Sequence, residues 1–132
     1  MARRFSITLK VRFYELDPFN HVNNGVYLSY FDHARDEYVE QALSGCEELP
    51  ASEIRYVVAR TEVDFLVPAV GGDILEILGY VSTFGQTSLT FEQEIVRARD
   101  QCPIARARTV LVWTDSAGRS SPLPDPVRRA FA

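Results

Sequence analysis

The chain has 132 residues, of which 46% are hydrophobic and 24% charged, with a net charge of −4. That length and composition suit one globular domain spanning residues 1–132. The acidic balance argues against a nucleic-acid module, and no apolar run approaches the roughly 18 residues a membrane helix needs.

The first pattern is FSITLKVRF, residues 5–13. Phe5, Ile7, Leu9, Val11 and Phe13 alternate with Ser6, Thr8, Lys10 and Arg12, the period of a half-buried strand. Arg3 and Arg4 lead into this strand and not into an apolar run, so the start does not read as a signal peptide. The cytoplasm is therefore the expected compartment. Cys46 and Cys102 belong to no CxxC or Cys/His cluster and are expected as free thiols. Alternation stops at Tyr14, and YELDPFNHVNNG follows, dense in turn and helix-start residues.

From Asn24 to Leu43 the period changes. Tyr27, Phe31, Ala34, Tyr38 and Ala42 recur at spacings of three and four with Tyr30 alongside, while Ser29, Asp32, His33, Asp36 and Glu40 form a polar stripe. This predicts one amphipathic helix of five turns, capped by Asn23 or Asn24 and stopped at Gly45. A strand is predicted over 57–65, with Val57, Ala59, Thr61, Val63 and Phe65 on one face and Arg60, Glu62 and Asp64 on the other. Further strands are predicted over 74–84, 88–99 and 104–114, the first entered by the turn GGD and closed by GQ, the last ending at DSAG. The proline-rich tail allows at most one short helical turn. One helix followed by four long strands implies an α+β fold: a five-stranded antiparallel sheet wrapped around a long central helix that is buried on most of its surface.

The chemistry concentrates where Asp17 precedes the start of that helix. A helix N-terminus presents unpaired N–H groups and partial positive charge, which suits the oxyanion formed during acyl transfer. A carboxylate just upstream is placed to act on the same carbon as nucleophile or base. Asp17-Pro18 is equally the signature of a plain turn, and His21 serves either acid–base chemistry or loop order. Asn23 and Asn24 read as caps, and two histidines twelve residues apart make no metal-ligand spacing.

The wording Tyr14-Glu15-Leu16-Asp17, then His21-Val22-Asn23-Asn24-Gly25-Val26-Tyr27, with Phe65-Leu66-Val67-Pro68 and Gly71-Gly72-Asp73 further on, resembles the hotdog-fold thioesterases of the 4-hydroxybenzoyl-CoA thioesterase type. The likeness is especially close to plant acyl-carrier-protein (acyl-ACP) and dihydroxynaphthoyl-CoA thioesterases. The resemblance implies Asp17 as catalytic carboxylate, with the N–H groups of Asn24 and Gly25 as oxyanion donors and His21 beside them. It implies Val22, Asn23, Tyr27 and Tyr30 around the substrate. It also implies an acyl-CoA or acyl-carrier-protein substrate, no metal or resident cofactor, and a homodimer or dimer-of-dimers tetramer. Arg97, Arg99, Arg106 and Arg108 either meet the phosphates of coenzyme A or form a solvated sheet face. Two other readings share the fold: an enoyl-CoA hydratase pairing Asp17 with His21, and a non-catalytic acyl-CoA binding protein.

Overall fold

A computed structural model describes residues 2–132. Its elements run β1 (Arg4–Lys10), α1 (Asn24–Leu43), β2 (Tyr56–Phe65), β3 (Ile74–Phe84), β4 (Ser88–Arg97), β5 (Cys102–Trp113) and α2 (Asp125–Phe131). The five strands form one sheet in the order β1-β3-β4-β5-β2, with every neighbouring pair antiparallel. The hotdog-fold α+β reading stands, and no helix among the described residues is long and apolar enough to cross a membrane.

Helix α1 lies against one sheet face and buries Tyr27, Tyr30, Phe31, Ala34, Arg35, Tyr38, Val39 and Leu43. Opposite it, Leu75, Ile77 and Val81 of β3 and Leu89, Phe91 and Ile95 of β4 supply the sheet's half of the core. Tyr38 is fully buried at its centre, with ring centroids 5.3 Å from Phe5 and 6.1 Å from Phe91. Its hydroxyl donates to the Ile77 carbonyl at 2.6 Å, so a buried polar atom is satisfied on the sheet itself.

Four expectations change. Strand β1 ends at Lys10 instead of residue 13, because the chain turns through a short 3-10 segment at Phe13–Glu15 and leaves Phe13 85% exposed. In β2 the register shifts between Val58 and Arg60. That bulge reverses the phase upstream, so Val58, facing Leu111, takes the inner position expected of Val57. The tail forms a seven-residue helix, α2, with Pro126 in its first turn; Val127 and Phe131 are buried, and Phe131 packs edge-on to Phe91. Finally, α1 is not buried on most of its surface: Leu28, Ser29, Asp32, His33 and Asp36 stay exposed.

Candidate functional site

The segment between β1 and α1 is folded by its own polar groups. Glu15, 8% exposed, accepts the Arg12 backbone N–H at 2.7 Å and the Tyr30 hydroxyl at 2.9 Å through Oε1. Burial, reinforced by this bond to Glu15, pushes the Tyr30 hydroxyl well above its ordinary range, so it stays a donor. The Glu15 carbonyl then accepts the N–H of Asn23, the cap residue of α1. Glu15 thus ties the loop entrance to α1, its carboxylate joining Arg12 to Tyr30 and its backbone carbonyl holding the cap residue. Replacing Tyr30 with Phe will leave it short of a partner and will lower unfolding stability by about 1–3 kcal/mol, read from denaturant unfolding.

Asp17 sits at the centre of that loop, half-buried. Its Oδ1 accepts the N–H groups of Phe19 at 2.9 Å and His21 at 3.0 Å, while its own N–H donates to the His21 carbonyl at 2.7 Å. Both side-chain bonds fall on Oδ1, which leaves Oδ2 out of the turn. His21 meets Asp17 through its backbone, and pairs with Val70 in an isolated bridge beside the one between Leu16 and Val22.

The second wall is the β2–β3 turn. The Val22 N–H donates to the Ala69 carbonyl at 2.9 Å, and the Ala69 N–H donates to the Tyr27 hydroxyl at 3.0 Å. Burial raises the Tyr27 pKa, with the acceptor role toward Ala69 working the other way. The turn approaches closely because Gly71 has no side chain: a Cβ there would lie 2.9 Å from Asn20 Oδ1 and 3.0 Å from Leu16 Cδ1. The Tyr27 ring packs edge-on to Tyr30 at 6.1 Å and to Phe65 at 5.4 Å, so an aromatic wall rises beside the loop.

At the helix start Asn23 is the N-cap, and its Oδ1 accepts the Gly25 N–H at 3.0 Å. Of the two N–H groups expected to face an oxyanion, Gly25's is therefore engaged, while Asn24's lies in the first turn, where no upstream helical carbonyl exists. The structure brings Asp17, His21, Val22, Asn23, Asn24, Gly25, Tyr27 and Tyr30 into one neighbourhood. It adds Glu15, Ala69 and Gly71, none of which the sequence marks as a site residue, although Glu15 and Gly71 stand in the segments that carry the resemblance. Glu15 carried a signal, an acidic residue flanked by Tyr14 and Leu16 in an otherwise apolar register; Ala69 acts through its backbone and carried none.

Three of the four arginines considered for phosphate binding are already matched. Arg97 pairs with Asp100 at 2.8 Å, Arg106 with Glu94 at 3.4 Å and Arg108 with Glu92 at 3.5 Å. The Glu92 and Glu94 pairs lie on the sheet face away from α1, a solvated face where such pairs contribute about 0–1 kcal/mol each.

A family model described as the thioesterase-like superfamily matches residues 11–131. An acyl-acyl carrier protein thioesterase, ATL3, of Arabidopsis thaliana is 32% identical over 99% of this chain, which spans 69% of that protein. The long-chain acyl-CoA thioesterase FadM of Escherichia coli is 31% identical over 81% of this chain and 80% of its own length. Among solved structures, a Thermus thermophilus thioesterase complexed with coenzyme A and zinc superposes with a TM-score of 0.81 at 37% identity, covering 96% of this chain and 90% of that one.

Proposed function

The chain belongs to the thioesterase-like superfamily, and from that premise we propose that it hydrolyses acyl-CoA or acyl-ACP thioesters at Asp17, in the cytoplasm and without a metal or resident cofactor. The observation that carries this reading is the placement of a carboxylate with one committed oxygen beside the N-terminus of a long helix. Oδ1 fixes the turn, and Oδ2 is the atom for chemistry. It either attacks the thioester carbonyl or takes a proton from water that does. Charge then builds on the carbonyl oxygen, where the Asn24 N–H and the positive end of α1 stabilise it. Gly25 joins as a second donor when the Asn23 cap releases it. Collapse of the tetrahedral intermediate expels the thiolate of coenzyme A or of the carrier's phosphopantetheine. On the base route Asp17 returns to it the proton taken from water, and the carboxylic acid is released directly. On the nucleophilic route collapse leaves an acyl–Asp17 anhydride, which water hydrolyses to release the acid and restore the carboxylate, while the thiolate takes its proton from solvent. Asn23 borders the acyl end nearest the bond, and the buried Val22, Tyr27 and Tyr30 back the site from behind, the two hydroxyls bonded to Ala69 and Glu15.

The hydratase alternative needs the His21 ring to work with Asp17. Both bonds between these residues are instead backbone-mediated on the His21 side, which favours His21 as a loop former. The test is thiol release across acyl-CoAs of short, medium and long chain together with β-keto and aromatic acyl groups. Release supports the reading; silence there and with acyl-carrier-protein substrates as well would leave the binding-protein alternative.

We further infer a homodimer formed along β2. This edge strand has one free side, and Val57, Val58, Phe65 and Leu66 are each exposed by 44% or more. Unpaired edge groups beside apolar side chains favour pairing with a second chain. The dimer, or a tetramer of two such dimers, will sediment at a multiple of the chain mass, and Val58→Asp will shift it toward the single chain. A wild-type protein that sediments as one chain at micromolar concentration removes this inference.

A further inference from the structure

We propose that the acyl chain runs along α1 into a cavity between that helix and β2 and ends against the buried Arg35 cation, so that medium-length aliphatic acyl groups are the preferred substrates. This rests on the thioester chemistry proposed at Asp17 and adds the substrate class.

The cavity measures about 320 Å³ and is lined by Leu28, Ser29, Phe31, Val58 and Ala107, with Arg35 among its walls. Such a volume falls at the lower end of small-ligand pockets. Its lining begins at Leu28, one turn beyond Gly25 at the proposed oxyanion site. Gly25, Leu28, Ser29, Asp32 and Arg35 follow one another at i, i+3, i+4, i+7 and i+10, a single stripe of α1. A chain whose carbonyl rests at the helix start is therefore led down that stripe into the cavity.

Arg35 sets the end. It is 4% exposed, an uncommon position for a cation. Its Nη1 donates to Gln93 Oε1 at 3.0 Å and Thr109 Oγ1 at 3.3 Å, and its Nη2 donates to Asp32 Oδ1 at 3.2 Å. Gln93 is held in turn by the Phe31 carbonyl at 3.1 Å. The guanidinium cannot swing away without breaking this set. Methylenes pressed over it and over Asp32 would strip the remaining water from two charges and return no hydrogen bond. Arg35 lies ten residues beyond Gly25, and helical side chains lean back by about a turn, so the charge sits roughly 10 Å along the axis from the carbonyl site. With carbon–carbon bonds of about 1.5 Å in a zigzag, that distance holds roughly eight carbons.

The experiment compares kcat/KM for butyryl-, octanoyl- and dodecanoyl-CoA in the wild type, Ser29→Leu and Arg35→Met. Ser29→Leu fills the cavity from an exposed position and will lower the octanoyl-to-butyryl ratio at least tenfold. Arg35→Met removes the charge at nearly constant length and will raise the dodecanoyl-to-octanoyl ratio at least tenfold. Ratios that stay constant in Ser29→Leu overturn the proposal, and that variant decides alone if Arg35→Met does not fold. Calorimetric binding of butyryl- and octanoyl-CoA to Asp17→Asn, with and without Ser29→Leu, separates the two readings. A length-dependent loss there supports the cavity even if Asp17 proves dispensable for turnover. A loss equal for both chains overturns it while leaving Asp17's role standing.

Discussion

Asp17→Asn will fold like the wild type and will lower turnover by at least two orders of magnitude, about 2.7 kcal/mol or more of barrier. The two halves of this expectation come from different oxygens of one side chain. Oδ1 accepts the N–H groups of Phe19 and His21, and an asparagine keeps an acceptor of the same shape in that position. The turn therefore persists, and with it the Leu16–Val22 bridge that sets the loop against the helix start. At the other position Nδ2 replaces Oδ2, so the lone pair and the charge are both lost, and neither attack on carbon nor deprotonation of water is left to it. Asp17→Ala makes the contrast sharper, since it leaves the Phe19 and His21 N–H groups without their acceptor and will lower stability as well as activity. Thiol release and thermal unfolding measured on the same samples separate the effects. An asparagine variant with near-normal turnover would take Asp17 out of the mechanism.

How far the sequence discloses this arrangement depends on the range over which each feature is determined. Helix α1 was legible because period, cap and stop all lie in one continuous stretch: of the two cap candidates Asn23 caps it, Leu43 is its last buried residue, and Gly45 follows. Strand β3 was equally legible between two turns. Asp17 drew attention because Asp-Pro before a capped helix is a local pattern with a chemical use. The β2 phase was not legible, since a bulge is a relation between two strands, and nothing in VVAR states that Leu111 will face Val58. Arg35 belongs to neither the apolar nor the polar stripe read from the sequence, because its burial depends on Gln93 and Thr109 from strands more than fifty residues away. Helix α2 was underestimated for a related reason. Three prolines in the tail argue against helix, yet Pro126 in the first turn costs no hydrogen bond, and Phe131 gains a place against Phe5 and Phe91.

The same long-range dependence makes Gly79 the most demanding position in the core. Local preference alone would favour alanine there, since a glycine inside a strand costs about 0.5–1 kcal/mol relative to alanine. The packing opposes that gain and outweighs it. A Cβ on Gly79 would lie 2.6 Å from Tyr38 Cε2, far inside ordinary van der Waals contact, and 3.1 Å from Gln93 Cγ, a few tenths of an ångström too close. The Tyr38 ring has little room to yield, with Phe5 stacked 5.3 Å away and its hydroxyl bonded to Ile77 at 2.6 Å. Gln93 is held on one side by Arg35 and on the other by the Phe31 carbonyl. Overpacking of a fixed core costs typically 1–3 kcal/mol, and the closeness of this approach puts Gly79→Ala near the upper end, about 3 kcal/mol, or on the order of 10 °C in Tm. If the ring is the obstacle, the two positions are coupled. In a Tyr38→Leu background, itself destabilised, the same Gly79→Ala step will cost less than about 1 kcal/mol. Equal costs in both backgrounds would show that the ring is not what opposes the methyl. The outcome bears on catalysis as well, because Tyr38 and Asn24 belong to one rigid helix: a ring pushed off β3 shifts the helix whose first turn faces the thioester.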